Sequence, residues 1–149
     1  MGVKIDRKVV AFDTWQGKTI IPPGYSAFIH YKDGTWNINP GKHGTKQYGP
    51  EGSAVSANEN YPLPGEKEGC LIGRLLYSPA TKSNNGLVLS YPELEKEGNN
   101  NESVLFTIKR EGLLIPKSDY PKVLHMRCND IDTGVFDNEG ELHLVVEIW

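Results

Sequence analysis

Near the C-terminus the chain alternates strictly: Leu142, Leu144, Val146 and Ile148 are apolar, with Glu141, His143, Val145 and Glu147 between them. A period of two sustained over that length marks a strand with one face buried. Residues 70–77 and 123–128 are short, nearly continuous apolar runs and predict strands of a more buried kind. Residues 9–12, 19–21, 35–38 and 104–109 predict further strands. Residues 25–31 alternate less cleanly, with Tyr25, Ala27, Ile29 and Tyr31 on one face and Ser26, Phe28 and His30 on the other. Lys32-Asp33-Gly34 reads as a hairpin-type turn closing that strand. Residues 86–90 predict an extra strand and 91–97 a short helical turn. Nothing in the chain sustains a 3.6-residue apolar repeat. Sixteen Gly and ten Pro are spread along the whole length, as expected where short strands are joined by many turns. The expectation is one all-β domain over residues 1–149, a β-sandwich, with no internal repeat and no linker.

One stretch breaks the rhythm. Residues 39–69 are poor in apolar side chains and rich in Gly, Pro, Asn and Ser. A connection that long inside a small domain is usually functional.

Composition narrows the classes of partner. A formal charge of −3 and a pI near 5.8 argue against nucleic acid, and no Lys/Arg cluster is present to dock on an acidic membrane. No apolar run approaches the ~18 residues of a membrane span. Residues 1–6 contain no apolar core of a secretory signal. The default expectation is a cytoplasmic protein, with export by a route that needs no such signal left open. Cys70 and Cys128 follow no metal-ligand spacing; they are either two free thiols or a disulfide. The sequon Asn101-Glu102-Ser103 matters only in a glycosylating host.

The segment richest in chemistry is Asn129-Asp130-Ile131-Asp132-Thr133-Gly134-Val135-Phe136-Asp137-Asn138-Glu139-Gly140, between two predicted strands. Asp130, Asp132, Asp137 and Asn138 offer hard oxygen donors, and the glycines let main-chain carbonyls turn inward. Calcium takes six to eight such oxygens, whereas zinc needs the His and Cys this loop lacks. The spacing is not that of an EF-hand. A solvated acidic hairpin has the same composition, because Asp, Asn and Gly suit turns.

Four features in order carry a resemblance: Trp15 with Gly17 and then Gly24; Asp33-Gly34-Thr35-Trp36; Tyr48-Gly49-Pro50-Glu51-Gly52 leading to Cys70-Leu71-Ile72-Gly73-Arg74-Leu75; and the strand–loop–strand around Asn129-Asp130 and Asp137-Asn138-Glu139-Gly140. Together they resemble the galactophilic PA-I-like bacterial lectins and the wider galactose-binding β-sandwich group, over roughly residues 9–149. The resemblance implies a jelly-roll-like sandwich in which one Ca²⁺ bridges the protein and two sugar hydroxyls. It implies that Asp130 is a carboxylate ligand, that Gly134 gives a main-chain carbonyl, that Asp137 and Asn138 give side-chain oxygens, and that Asn39 gives a further carbonyl. Asp137 stands where the family has Asn, making this site one charge more acidic. The family's sugar-contacting element is replaced by Asn58-Glu59-Asn60-Tyr61-Pro62-Leu63, so Tyr61, Asn60, Asn58 and Glu59, with Ile131 beside Asp130, form the expected sugar-contacting set. Residues 78–103 are an insertion relative to the shorter lectins. Galactose-containing glycans are the implied partners. A homo-oligomer is implied too, since multivalency compensates for weak single sites, with Trp149 packed on the sheet or on a subunit.

Trp15 and Trp36 fit either a closed core or sugar platforms. His30, His43, His125 and His143 have no nucleophile or paired carboxylate at a recognisable spacing. Glu51, Glu59 and Glu66 would have to oppose Asp130 to make a glycosidase, and no nucleophile elbow, phosphate loop or metalloprotease motif is present. The expectation is a binding protein rather than an enzyme. The alternative is a structural or protein-interaction sandwich whose calcium loop serves stability alone.

Overall fold

The computed structural model describes residues 2–77 and 102–149. Strands β1 (Val3–Val10), β2 (Gln16–Ile21), β3 (Ala27–Asn37), β4 (Leu71–Tyr77), β5 (Glu102–Thr107), β6 (Leu113–Ile115), β7 (Lys122–Cys128) and β8 (Glu139–Ile148) form two antiparallel sheets. One has the order β1-β8-β3-β6 and the other β2-β7-β4-β5. A one-turn helix, α1 (Pro40–His43), follows β3. The strand expected at 86–90 and the helical turn expected at 91–97 lie outside the described residues.

The alternation in β8 does what its period requires. Leu142, Leu144, Val146 and Ile148 are buried and meet Val9, Ile21, Ile29, Trp36, Leu71, Leu124 and Met126 in one core between the sheets. Trp36 is fully buried and its indole N–H donates to the Gly69 carbonyl at 2.8 Å, so it belongs to the core. Cys70 and Cys128 are both buried free thiols. Burial pushes the Cys70 thiol up to about 12 and Cys128 well above its ordinary value, which leaves neither reactive at neutral pH. Trp149 is 46% exposed, and its main chain pairs with Ser26 at 2.9 and 3.1 Å.

Three elements differ from the sequence reading. β1 starts at Val3, not at residue 9: Lys4, Asp6, Arg7 and Lys8 hide the strand, but it pairs only with β8 from Val3↔Ile148 to Val10↔Glu141. Charges are tolerated on such an edge. β6, three residues long, was too short to show a period. The third difference is Lys32-Asp33-Gly34, which is not a turn. β3 runs through it and stays paired with β8, and the register slips between Tyr31 and Asp33. Lys32 is thus the extra residue of a bulge. Gly34 has φ 103°, and a side chain there would run into the main chain of Glu141. The Asp-Gly pair supplies a left-handed residue in both cases; long-range pairing with β8 decides that it bends a strand instead of ending one.

The two constraints on Gly34 separate by mutation. Gly24 also has a left-handed φ, 81°, but open space where a Cβ would stand. Gly24→Ala is expected to cost the strain alone, about 1–2 kcal/mol. Gly34→Ala adds a clash with β8 and is expected to cost about 3 kcal/mol or more. Urea unfolding of both variants checks this; equal losses would mean that β3 and β8 are not closely paired at the bulge.

Candidate functional site

β7 ends by burying two polar side chains in succession. Asn129 is fully buried. Its amide reaches across to the 58–68 loop, accepting from Leu63 N–H at 3.0 Å and donating to the carbonyls of Leu63 and Lys67, both at 3.1 Å. Its own main chain pairs with Cys70 and Gly69 at 2.8 Å each. One residue therefore fastens the loop expected to contact sugar to the loop expected to hold metal.

Asp130, 5% exposed, has its carboxylate between two neutral donors. Ile131 N–H donates to Oδ1 at 2.8 Å and the Asn138 amide to Oδ2 at 2.7 Å. The neighbouring guanidinium of Arg127 goes elsewhere, to the Asp130 main-chain oxygen at 2.8 Å and the Asp132 carboxylate at 2.6 Å. Among the described residues no Lys, Arg or His is ion-paired with the Asp130 carboxylate. A buried carboxylate held only by neutral groups lacks the countercharge that makes burial tolerable.

The expected metal ligands cluster unevenly around it. Asn138, buried, joins three segments: Nδ2 donates also to the Ala11 carbonyl at 3.1 Å, and Oδ1 accepts from Asn39 N–H at 3.0 Å. An amide oxygen keeps a second lone pair after that bond. Gly134 leads into the 3-10 turn Val135–Asp137, and a side chain there would start 3.8 Å from Asp130 Oδ1. Asp137 ends this turn with its side chain exposed. Asn39 adopts φ 41°, the left-handed region. It touches the site through its N–H, while its oxygen accepts from Lys42 and His43 N–H at 2.8 Å each and so caps α1. The carbonyl role implied for Asn39 thus competes with two helix bonds. Among the described residues no three His, Cys, Asp or Glu side chains converge. A cation at Asp130 would draw on amide and main-chain oxygens as much as on carboxylates, which is calcium's habit.

Beside this loop lies a cavity of about 390 Å³ lined by Asn60, Tyr61, Ile131 and Thr133, and by Trp15, Arg74 and Arg127. Three of the expected sugar contacts, Asn60, Tyr61 and Ile131, meet there. Asn58 and Glu59 do not: both are exposed, outside the lining, and Asn58 Oδ1 accepts from Asn60 N–H at 2.9 Å to shape the turn. Glu51, weighed for acid/base work, is paired with Arg110 at 2.5 Å.

Sequence reasoning passed over Glu68. It is 4% exposed and receives Lys42 Nζ at 2.9 Å and His43 Nε2 at 3.2 Å, so it binds α1 to the 58–68 loop. The Tyr61 hydroxyl also bonds to it; burial first, then this carboxylate, pushes the Tyr61 phenol far up. The Tyr61 hydroxyl is thus engaged within the fold. The only signal in the sequence was a Glu two residues before a buried strand. Phe136, 82% exposed on the 3-10 turn, is a second omission: it looks like core in the sequence, but the turn points it outward.

Burial by itself would raise the Glu68 carboxyl; the hydrogen bonds from Lys42, His43 and Tyr61 outweigh it and hold the group below its ordinary 4.5. A depressed folded-state value gives stability that is present above the unfolded value and is lost as pH falls through the folded one. Glu68→Gln is expected to lower stability by about 1–3 kcal/mol at neutral pH, and the gap to the parent chain should close on acidification below about pH 4. Denaturation midpoints measured from pH 7 to pH 3 test this. A gap unchanged across that range would mean Glu68 is not ionised in the fold. No protein-family model and no curated protein matches the chain.

Proposed function

We propose that the protein is a calcium-dependent carbohydrate-binding protein of the lectin type, with terminal galactosides as the first ligands to try. The observation that carries the reading is the buried Asp130 carboxylate, hydrogen-bonded among the described residues to neutral donors alone, at the start of an oxygen-rich loop. Such a group favours a hard cation. Asp130, the second lone pair of Asn138 Oδ1, the main-chain oxygen of Gly134 and the exposed carboxylate of Asp137 are the residues that would hold it. A bound Ca²⁺ would leave coordination positions for two vicinal sugar hydroxyls.

Asn60, Tyr61 and Ile131 along the adjoining cavity support a ligand beside the ion rather than a loop closed over it. Tyr61 is 8% exposed, so it would meet a pyranose only with the part of it that borders the cavity. The strand order, β1-β8-β3-β6 facing β2-β7-β4-β5, supports the jelly-roll form that the resemblance implies. The exposed Trp149 indole is the contact to examine for oligomerisation.

Thermal unfolding tests the reading. A ligand that binds only the folded state stabilises it by about 2.7 kcal/mol at one hundred times its Kd, or roughly 5–10 °C in a chain of this size. Calcium should raise Tm by that order, EDTA should reverse it, and methyl α-D-galactopyranoside should add a further rise only with calcium present. Asp130→Asn should abolish both. A calcium shift in the parent chain with no response to any sugar would leave the loop a purely stabilising device. No calcium shift would remove the metal from the proposal.

A further inference from the structure

The β1-β8-β3-β6 sheet carries a second cavity of about 390 Å³, lined by Asp6, Arg7 and Lys8 of β1, His143 of β8 and Lys32 of β3. It shares no residue with the cavity beside Asp130. The sequence shows no basic cluster, because these cations come from strands far apart in the chain. Pairing on either side of β8 assembles them: His143 lies opposite Lys8 on one side and Asp33 on the other. Lys8 and Asp33 are thus two strand spacings apart, about 10 Å between main chains. Lys32 precedes Asp33 as the extra residue of the bulge. Bulges re-aim side chains. Here two successive residues serve one place: Asp33 bonds to His143, and Lys32 lines the cavity next to it.

Two acids close to the cavity are already committed. His143 takes both, with Nδ1 2.5 Å from Asp33 Oδ1 and Nε2 2.6 Å from Glu141 Oε2. Glu141 first and then Asp33 raise the imidazole above its ordinary value, so the three groups form one ionic cluster. Arg7 is held by neutral oxygens alone. Its Nε donates to the Thr19 hydroxyl at 2.9 Å, Nη2 to the Lys18 carbonyl at 3.0 Å and Nη1 to the Asp6 carbonyl at 3.3 Å. Those bonds fix the guanidinium and leave its charge without a countercharge. Among the described residues neither Lys8 nor Lys32 has a hydrogen bond or ion pair from its ammonium group. Asp6 is the one acid in the lining, and it is ion-paired with neither lysine. Two free ammonium groups and the Arg7 charge thus face a single carboxylate, in a chain whose formal charge is −3.

We propose that this cavity binds a tetrahedral oxyanion, a phosphate or sulfate group, between Lys8 and Lys32 and in the field of Arg7. A carboxylate is matched best by the planar fork of an arginine. The free cations here are lysines, flexible point charges that can meet the several oxygens of a tetrahedral anion from different sides. The cavity is larger than one ion, which leaves room for the organic part of a small ester beside the anion. The site is separate from the Asp130 loop and independent of the lectin reading.

Amide NMR shifts of the isotope-labelled full chain, titrated at constant ionic strength, test this. The probes are inorganic phosphate, inorganic sulfate and glycerol 3-phosphate, with acetate and chloride as references. Phosphate and sulfate are expected to shift the amides of Lys8, Lys32 and His143 saturably. Tighter binding of glycerol 3-phosphate than of phosphate assigns the site to an ester, and the reverse assigns it to the free ion; both outcomes support the site. Lys8→Gln and Lys32→Gln, at exposed side chains, should each weaken binding by about threefold or more. Lys46→Gln removes the same charge at an exposed position outside the lining and should leave affinity nearly unchanged, since salt screens distant charges. Shifts that chloride reproduces overturn the proposal. So does acetate binding as tightly as phosphate, or a loss in Lys46→Gln equal to that in the two cavity variants.

Discussion

The end of β7 sets the terms for everything around it. Two polar residues in a row, Asn129 and Asp130, are carried into the interior where the strand leaves the sheet. Adjacent residues of a strand point to opposite sides, and here both sides are enclosed. The amide of Asn129 can be satisfied by main chain, and the 58–68 loop folds back to do so at Leu63 and Lys67. The carboxylate of Asp130 cannot be satisfied that way in full, because main-chain N–H groups and one amide supply no compensating charge. The first residue fastens the walls of the site, and the second is the feature on which the proposed cation rests.

The two electrostatic characters of the site follow from how Arg127 is shared. It lies one strand step from the same corner, and it could have neutralised Asp130. Its bonds to the carbonyls of Cys128 and Asp130 instead turn its free edge toward the cavity and Asp132. The Asp130 carboxylate is left with neutral donors, and the guanidinium is paired with Asp132. Had Arg127 reached the Asp130 carboxylate, both features would have cancelled into an internal ion pair. The side chain's hydrogen bonds to main chain, more than its charge, keep them apart.

Much of the fold was legible in the sequence because period and burial coincide there. The Leu142–Ile148 alternation is the buried face of β8, and the apolar runs at β4 and β7 are central strands. What failed was local reading of residues whose state is set by distant partners. Asp33-Gly34 has turn chemistry, and β8 makes it a bulge. The charges of β1 look like loop until an edge position beside β8 accommodates them. The placement of the candidate site's residues was legible in part. Asp130, Gly134 and Asn138 share one loop, so their proximity is built into the chain. Asn60, Tyr61 and Ile131 meet only through the Asn129 clasp. Asn39 kept its place but turned its N–H, not its oxygen, to the site, because the oxygen begins α1. Glu68 and the two arginines carried no signal, since a single charged residue next to a buried strand usually faces water.

The 39–69 segment has the composition of a flexible loop and the bonding of a rigid one. Main-chain bridges pair Trp36 with Tyr48 and Ser56 with Lys67. Glu68 ties α1 to Tyr61, and Asn129 ties the far end to β7. A site for small sugars, as proposed, would gain from this, because each ligand offers few contacts and any loop ordering on binding would be subtracted from them. The rigidity is not uniform. Side-chain bonds concentrate at the buried Glu68 and Asn129, whereas Asn58 and Glu59 face solvent. A ligand extending beyond one ring would pass from the cavity at Asn60 and Tyr61 toward their exposed neighbours Asn58 and Glu59. On the proposed reading, recognition of a first sugar would depend on groups set in place by folding, and contacts to further sugars would fall to residues that the fold leaves exposed.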